Sequence, residues 1–292
     1  MAGTQTLLRA QPRDDFVVTP SIKAICTRAL AYLEAGYPVH FKGATGTGKT
    51  TLALHLAGLW DRPLTLIYGD EEFGSSDLVG GEKGVISKRL VDNFIHSVLK
   101  TEESMRPQWV DQRLTAACRY GYTLVYDEFS RSRPEANNVL LAVLEEKLLS
   151  LPETRYGEAY IQVHPDFRAI FTSNPEEYAG IHKTQDALVD RMITIQLTHY
   201  DRETEIAITR AKSGIGEEEA ERIVDTVRDL RGMSTNSWPS IRACIMIAEV
   251  VMQREGKVTA DNPIFRETCF DVLGSDSFKR EDIEQVIETR LR

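Results

Sequence analysis

Apolar positions along the chain fall into two textures that alternate. Ile22, Ile25, Ala29, Leu30 and Leu33 recur at helical spacing until Gly36, and Thr19-Pro20 ahead of them offers an N-cap followed by a first-turn proline. The other texture is short and continuously apolar: Pro38-Val39-His40-Phe41, then residues 63–68, 122–126, 167–173 and 192–196. Runs of that length bounded by turn residues predict buried strands. Residues 51–59 and 108–120 return to helical spacing between them, and strands alternating with helices imply a parallel sheet. Residues 69–84 break the pattern with Asp, Glu, Ser and the glycines Gly69, Gly74, Gly80, Gly81 and Gly84; a long irregular stretch inside a compact domain is more often functional than filler. After Thr198 the texture becomes wholly helical, with amphipathic candidates at 202–211, 217–230 and 240–253 separated by Ser213-Gly214-Ile215-Gly216 and Gly232-Met233-Ser234. The expected fold is therefore α/β over residues 1–199, a parallel sheet flanked by helices, with a smaller all-helical domain over 200–292.

The chemistry begins directly behind the first strand. Gly43-Ala44-Thr45-Gly46-Thr47-Gly48-Lys49-Thr50 satisfies G-x-x-x-x-G-K-[ST]. Glycines let the backbone turn and aim successive N–H groups at phosphate oxygens, while the helix that follows, through Thr51, presents its positive end to the same anion. Lys49 is then expected on the β- and γ-phosphates of ATP and Thr50 on Mg²⁺. The run 122–126 ends in Asp127-Glu128, a buried strand closing in two acids. Asp127 is expected to support the metal and Glu128 to polarise the attacking water. Residues 167–173 end at Asn174-Pro175, where a carboxamide can hold the lytic water as both donor and acceptor, although Asn-Pro taken alone is a turn signal. Arg191 precedes the last strand; it either reaches the nucleotide of a neighbouring subunit or pairs locally with Asp190.

Size and charge narrow the alternatives. The 292 residues suffice for a nucleotide-binding domain of about 200 residues plus a companion. A composition of 42% hydrophobic and 27% charged residues is that of an ordinary globular protein. A formal charge of −9 argues against nucleic acid as the main partner. Cys26, Cys118, Cys244 and Cys269 are scattered without a C-x-x-C pair, and no H-E-x-x-H occurs, so the thiols read as buried hydrophobes and Mg²⁺ is the expected metal. Residues 1–15 carry no apolar stretch of signal-peptide length, and the densest apolar run, 245–252, is broken by Glu249; a cytoplasmic location without a lipid membrane is expected.

The phosphate loop, the segment from Tyr126-Asp127-Glu128 through Pro134, the Thr172-Ser173-Asn174-Pro175 strand end and Leu188-Val189-Asp190-Arg191-Met192 together resemble the MoxR branch of the AAA+ P-loop ATPases, in particular its members that serve gas vesicles. The resemblance runs over nearly the whole chain. It implies Walker A at residues 43–50, Walker B at Asp127 and Glu128, sensor 1 at Asn174, the arginine finger at Arg191 and sensor 2 at Arg242, the last otherwise readable as a solvated helix arginine. It further implies an insertion in the second helix at 69–84, a hairpin over 148–164, both facing the pore of a ring expected to be hexameric, and gas vesicle shell or assembly proteins as clients. Arg131 and Arg133 are further candidates for an intersubunit contact. An alternative within the same branch activates a metalloenzyme or carboxylase, and a third reading is a nucleotide-gated structural component of the vesicle surface. A GTPase lacks support because no Asn-Lys dipeptide occurs for a guanine reader, and a small-molecule kinase would need neither a trans arginine nor a helical lid.

Overall fold

The Thr19 hydroxyl accepts a hydrogen bond from Ile22 N at 3.4 Å and opens α1 (Pro20–Glu34), which the backbone ends at Gly36, φ 86°. The computed structural model describes residues 16–91, 101–151, 159–174, 183–233, 238–274 and 278–291. From α1 the chain enters β1 (Val39–Lys42), the phosphate loop, α2 (Lys49–Leu59) and β2 (Leu64–Tyr68), as the apolar periodicity predicts.

Beyond β2 the structure departs from the sequence expectation. The irregular stretch contains a short helix, α3 (Ser75–Val79), and then runs into β3 (Gly80–Val91), paired antiparallel with β4 (Thr101–Asp111). Residues 108–111, expected to be helical, belong to β4, where Val110 faces Gly81 and Trp109 faces Glu82; α4 (Arg113–Tyr120) starts only after Gln112. A ladder partner some thirty residues away leaves no trace in local spacing, so the helical reading had nothing local against it.

Then come β5 (Thr123–Asp127), a 3₁₀ turn at Phe129–Arg131, α5 (Pro134–Asn137) and α6 (Val139–Leu144). The expected hairpin is present as β6 (Leu148–Ser150) antiparallel to β7 (Tyr160–Gln162), its 152–158 portion lying outside the described residues. The sheet is completed by β8 (Arg168–Ser173) and, after α7 (Lys183–Val189), by β9 (Ile193–Gln196).

The main sheet is five-stranded and all parallel, in the order β2-β5-β8-β1-β9. Strand alternation sorts its side chains onto two faces. Val39, Phe41, Val125, Ile170 and Ile195 pack with Ile22 and Leu33 of α1 and Leu52 and Leu56 of α2, while Leu124, Tyr126, Ala169 and Phe171 pack with Leu114 of α4 and Leu140 and Val143 of α6. His40 is the polar intruder on the second face. Fully buried, its Nδ1 pairs with Thr194 Oγ1 at 2.9 Å and its Nε2 with Ser173 Oγ at 2.7 Å, which ties β1 to both neighbours.

Past Gln196 every described element but an isolated bridge residue at Phe278 is helical: α8 (Arg202–Ser213), α9 (Glu217–Met233), α10 (Ile241–Gln253), α11 (Pro263–Leu273) and α12 (Arg280–Leu291). The first three match the sequence expectation. The last two were not anticipated, though Phe265, Cys269 and Leu273 on α11 and Ile283, Val286 and Ile287 on α12 carry the spacing of a buried face. These helices share a core of their own, with Val227, Leu230, Cys244 and Ile247 at its centre. All four cysteines are buried and unbridged, and burial pushes the thiols of Cys118, Cys244 and Cys269 up. Among the described residues no helix is long and apolar enough to cross a membrane.

Candidate functional site

Because β1, β5 and β8 are parallel, their C-terminal ends emerge at one edge of the sheet, and each ends in a polar group singled out from sequence. β1 delivers the phosphate loop, β5 delivers Asp127 and Glu128, β8 delivers Asn174. Asp127, only 6% exposed, is the hub: Thr50 Oγ1 donates to its Oδ1 and Oδ2 at 2.8 and 2.9 Å, and Thr172 Oγ1 donates to Oδ1 at 2.5 Å. Thr172 in turn accepts from Glu128 N at 2.9 Å. Sequence reasoning gave Thr172 no role. Its signal was its place on the strand adjoining β5, beside the strand end that carries the acids, a relation visible only once the strand order is known.

Glu128 sits in the left-handed region at φ 52°, ψ 41°, which turns the chain sharply off β5, and the residue lines the cavity above the loop. Arg131 donates to Glu128 Oε2 at 2.8 Å, so this arginine is engaged within its own chain, whereas Arg133 is exposed at the start of α5. The chain leaving β2 passes against the same turn. Gly69 N donates to Asp127 O at 2.8 Å, and a Cβ on Gly69 would stand 1.9 Å from Glu128 O, an approach only glycine permits.

The loop has the conformation its glycines predict, with Gly46 at φ 83° and Gly48 at φ 79° immediately ahead of α2. Lys49 is 8% exposed and folds back so that Nζ donates to Gly43 O and Ala44 O, both at 2.8 Å. Thr47 Oγ1 donates to Ala44 O at 2.9 Å, and Asn174 Nδ2 donates to Thr45 Oγ1 at 2.7 Å, joining the end of β8 to the loop tip. Above the loop lies a cavity of about 260 Å³ lined by both polar and apolar groups. Thr45, Gly46, Gly48, Lys49, Thr50, Thr51 and Glu128 form the polar part; Phe16, Val17, Ile22, Tyr200, Ile208 and Ile245 form the apolar part. Such an arrangement suits a ligand with a charged tail and a flat apolar head. The donors also suit a hard cation, since Thr50 and Asp127 bring hydroxyl and carboxylate oxygens together at the loop, and Mg²⁺ is commonly held by one or two protein oxygens plus substrate phosphates.

The helical part closes the cavity from the other side. Arg242, exposed on the first turn of α10, and Lys212 of α8 both line it. Ser240 packs directly on Gly46, where a Cβ would come within 2.1 Å of the Ser240 hydroxyl. That contact is held from behind. Glu205, fully buried on α8, accepts from Arg228 at 2.9 Å and Arg231 at 2.8 Å, and Arg231 Nε donates to Pro239 O at 2.7 Å, next to Ser240. A second seam joins the start of α8 to α1, with Ser21 donating to Asp201 Oδ2 at 2.8 Å and Thr204 to Thr19 Oγ1 at 2.8 Å. The backbone N–H of Thr204 holds the Asp201 carboxyl below its usual range.

Arg191 stands apart from this cavity. Ile193 pairs with Val39 at the start of β1, which puts Arg191 at the N-terminal edge of the parallel sheet, opposite the phosphate loop. There it pairs not with Asp190 but with Glu145 at 2.5 Å, and it donates to Ala187 O at 2.7 Å. Pro175 lies outside the described residues, as do residues 1–15.

Comparison with known proteins bears on the family and the fold. Residues 38–192 match the family described as AAA domain (dynein-related subfamily). The chain is 49% identical to a gas vesicle ATPase GvpN of Ancylobacter aquaticus, covering 99% of this chain and 81% of the relative, and 46% identical to the gas vesicle ATPase GvpN of Haloferax mediterranei, covering 93% and 77%. Among solved structures, the Thermotoga maritima RuvB P216G mutant superposes with a TM-score of 0.53 at 16% identity, covering 97% of this chain and 73% of the other, a likeness of fold.

Proposed function

The chain belongs to the dynein-related AAA domain family and, within it, to the gas vesicle ATPases GvpN, and from that premise we propose that it hydrolyses ATP in a subunit ring to remodel client protein during gas vesicle assembly. The observation that carries the reading is the convergence of Thr50, Asp127 and Thr172 in one hydrogen-bonded cluster, with Asn174 bonded to the loop tip beside it.

Residues 43–51 cradle the triphosphate with backbone N–H groups, and Lys49 exchanges its two loop carbonyls for phosphate oxygens. Thr50 and Asp127 hold Mg²⁺, whose charge offsets that of the phosphate oxygens when bound. Glu128 accepts a proton from the attacking water and Asn174 orients that water. Arg242 reaches the γ-phosphate from the lid, residues 200–292. Arg191 serves a neighbouring subunit: its position at the far edge of its own sheet suits a contact made across an interface, and Glu145 holds it until then. We take the ring to be hexameric, the location to be cytoplasmic and on the gas vesicle, the clients to be vesicle shell or assembly proteins, and the pore-facing elements to be the β3–β4 and β6–β7 hairpins. The net charge of −9 disfavours a nucleic acid client.

Turnover measured against protein concentration tests this. Specific activity is expected to rise with concentration, and Glu128→Gln and Arg191→Ala each to lower turnover by about 10²-fold or more. Mixing the two inactive variants is expected to restore activity, since a Glu128-intact site can then receive an intact Arg191. A strictly monomeric enzyme at full speed, or single variants as active as the parent, would remove the mechanism.

A further inference from the structure

We propose that Thr45 is a positioning residue for hydrolysis, its hydroxyl fixing the orientation of the Asn174 carboxamide across the mouth of the phosphate loop. The inference rests on the ATPase reading above. A phosphate loop binds its anion through backbone N–H groups and its lysine, so the side chain at the third position has no necessary part in the cradle. Here that side chain is a hydroxyl, and it accepts from Asn174 Nδ2 at 2.7 Å. Asn174 is 6% exposed and stands at the end of β8, one strand over from β5 and its acids. The bond tethers the carboxamide to the loop and restrains where its plane stands relative to the phosphate site. A water that must be gripped by both ends of that amide is sensitive to its placement, whereas phosphate binding by the backbone N–H groups is not. Thr45 thus acts through Asn174, on the rate rather than on affinity. Its side chain is exposed, so water competes for the same bond and the effect is moderate.

The test uses the full chain and four variants: Thr45→Val, which keeps the shape and removes the hydroxyl, Thr45→Ser, which keeps the hydroxyl, Asn174→Ala, and the Thr45→Val/Asn174→Ala pair. Thr45→Val is expected to lower kcat about threefold to tenfold while KM and the affinity for a fluorescent ADP analogue move by less than about twofold. Thr45→Ser recovers most of the lost rate, and the double variant is no slower than Asn174→Ala alone. In the nucleotide-free protein, the side-chain amide resonances of Asn174, assigned by their loss in Asn174→Ala, shift in Thr45→Val and return in Thr45→Ser. Unmoved resonances in Thr45→Val overturn the inference, as do losses that multiply in the double variant. If Asn174→Ala hydrolyses ATP as fast as the parent, the sensor reading of Asn174 fails separately, and the resonances then decide the Thr45 link by themselves.

Discussion

Gly69 concentrates the residue-scale logic of the site. Nothing about a glycine after an apolar run distinguishes it from any turn glycine, yet here the absent Cβ is what lets the chain leaving β2 pass against the carbonyl of Glu128. Replacing it with alanine forces the Glu128 turn to move, because the obstructing atom is backbone and has no rotamer to yield. Gly69→Ala is expected to lower the unfolding free energy by about 1–3 kcal/mol, the range for inserting a methyl group into a packed site. It should also lower kcat more than it weakens nucleotide binding, since the displaced group is the candidate base and not the cradle. Urea unfolding and steady-state kinetics read the two effects. Wild-type values in both would show that the turn relaxes freely and that Glu128 does not depend on it.

At the scale of the element, β1 carries a pH signature in its polar content. Its His40 is sealed between β8 and β9, and burial, seconded by the charge of Lys42, pushes the imidazole down to about 4. The unfolded chain protonates the same ring near its ordinary 6.5. Below that value the unfolded state binds a proton that the folded state refuses, so His40 favours folding fully above about pH 6.5 and progressively less as pH falls toward 4. The loss between pH 7.5 and 5 is about 2 kcal/mol from this residue. His40→Gln, which retains a donor and an acceptor, should remove that part of the pH dependence in urea unfolding, and an unchanged slope would assign it elsewhere. The element scale also explains why β3 and β4 escaped the sequence reading while β1, β5 and β8 did not. The central strands are buried on both faces and read as continuous apolar runs, whereas residues 80–91 and 101–111 are mixed in polarity and owe their conformation to each other.

At the scale of the whole molecule, the C-terminal helices are connected to the phosphate loop through a buried charge. Glu205 holds Arg228 and Arg231, and Arg231 holds the Pro239 carbonyl beside the Ser240 that rests on Gly46. Glu205→Gln removes the charge while leaving two arginines around it. Breaking a buried pair in this way costs about 3 kcal/mol, toward the low end of the usual range because Arg228 is 36% exposed and can rehydrate. The loss should fall on the helical core first, giving an early separate phase in thermal unfolding, and nucleotide affinity should weaken as Ser240 and Arg242 lose their support. A single unshifted transition with unchanged affinity would disconnect this ion cluster from the site.

What the chain dictated by local pattern was the chemistry and its strands: a phosphate loop needs its glycines, lysine and threonine at fixed offsets, and a strand buried on both faces needs an unbroken apolar run, so both are written in adjacent residues. The last two helices are equally legible at their own spacing, Phe265, Cys269 and Leu273 on one and Ile283, Val286 and Ile287 on the other. What only the tertiary structure decided were the relations between distant residues: Thr172 beneath Asp127, Asn174 on Thr45, Gly69 under Glu128, and Arg191 at the far edge with Glu145. Those depend on which strands lie side by side and in which direction. That order is set by the packing of two whole faces of helices onto the sheet, a free energy summed over the molecule that no short window of sequence contains.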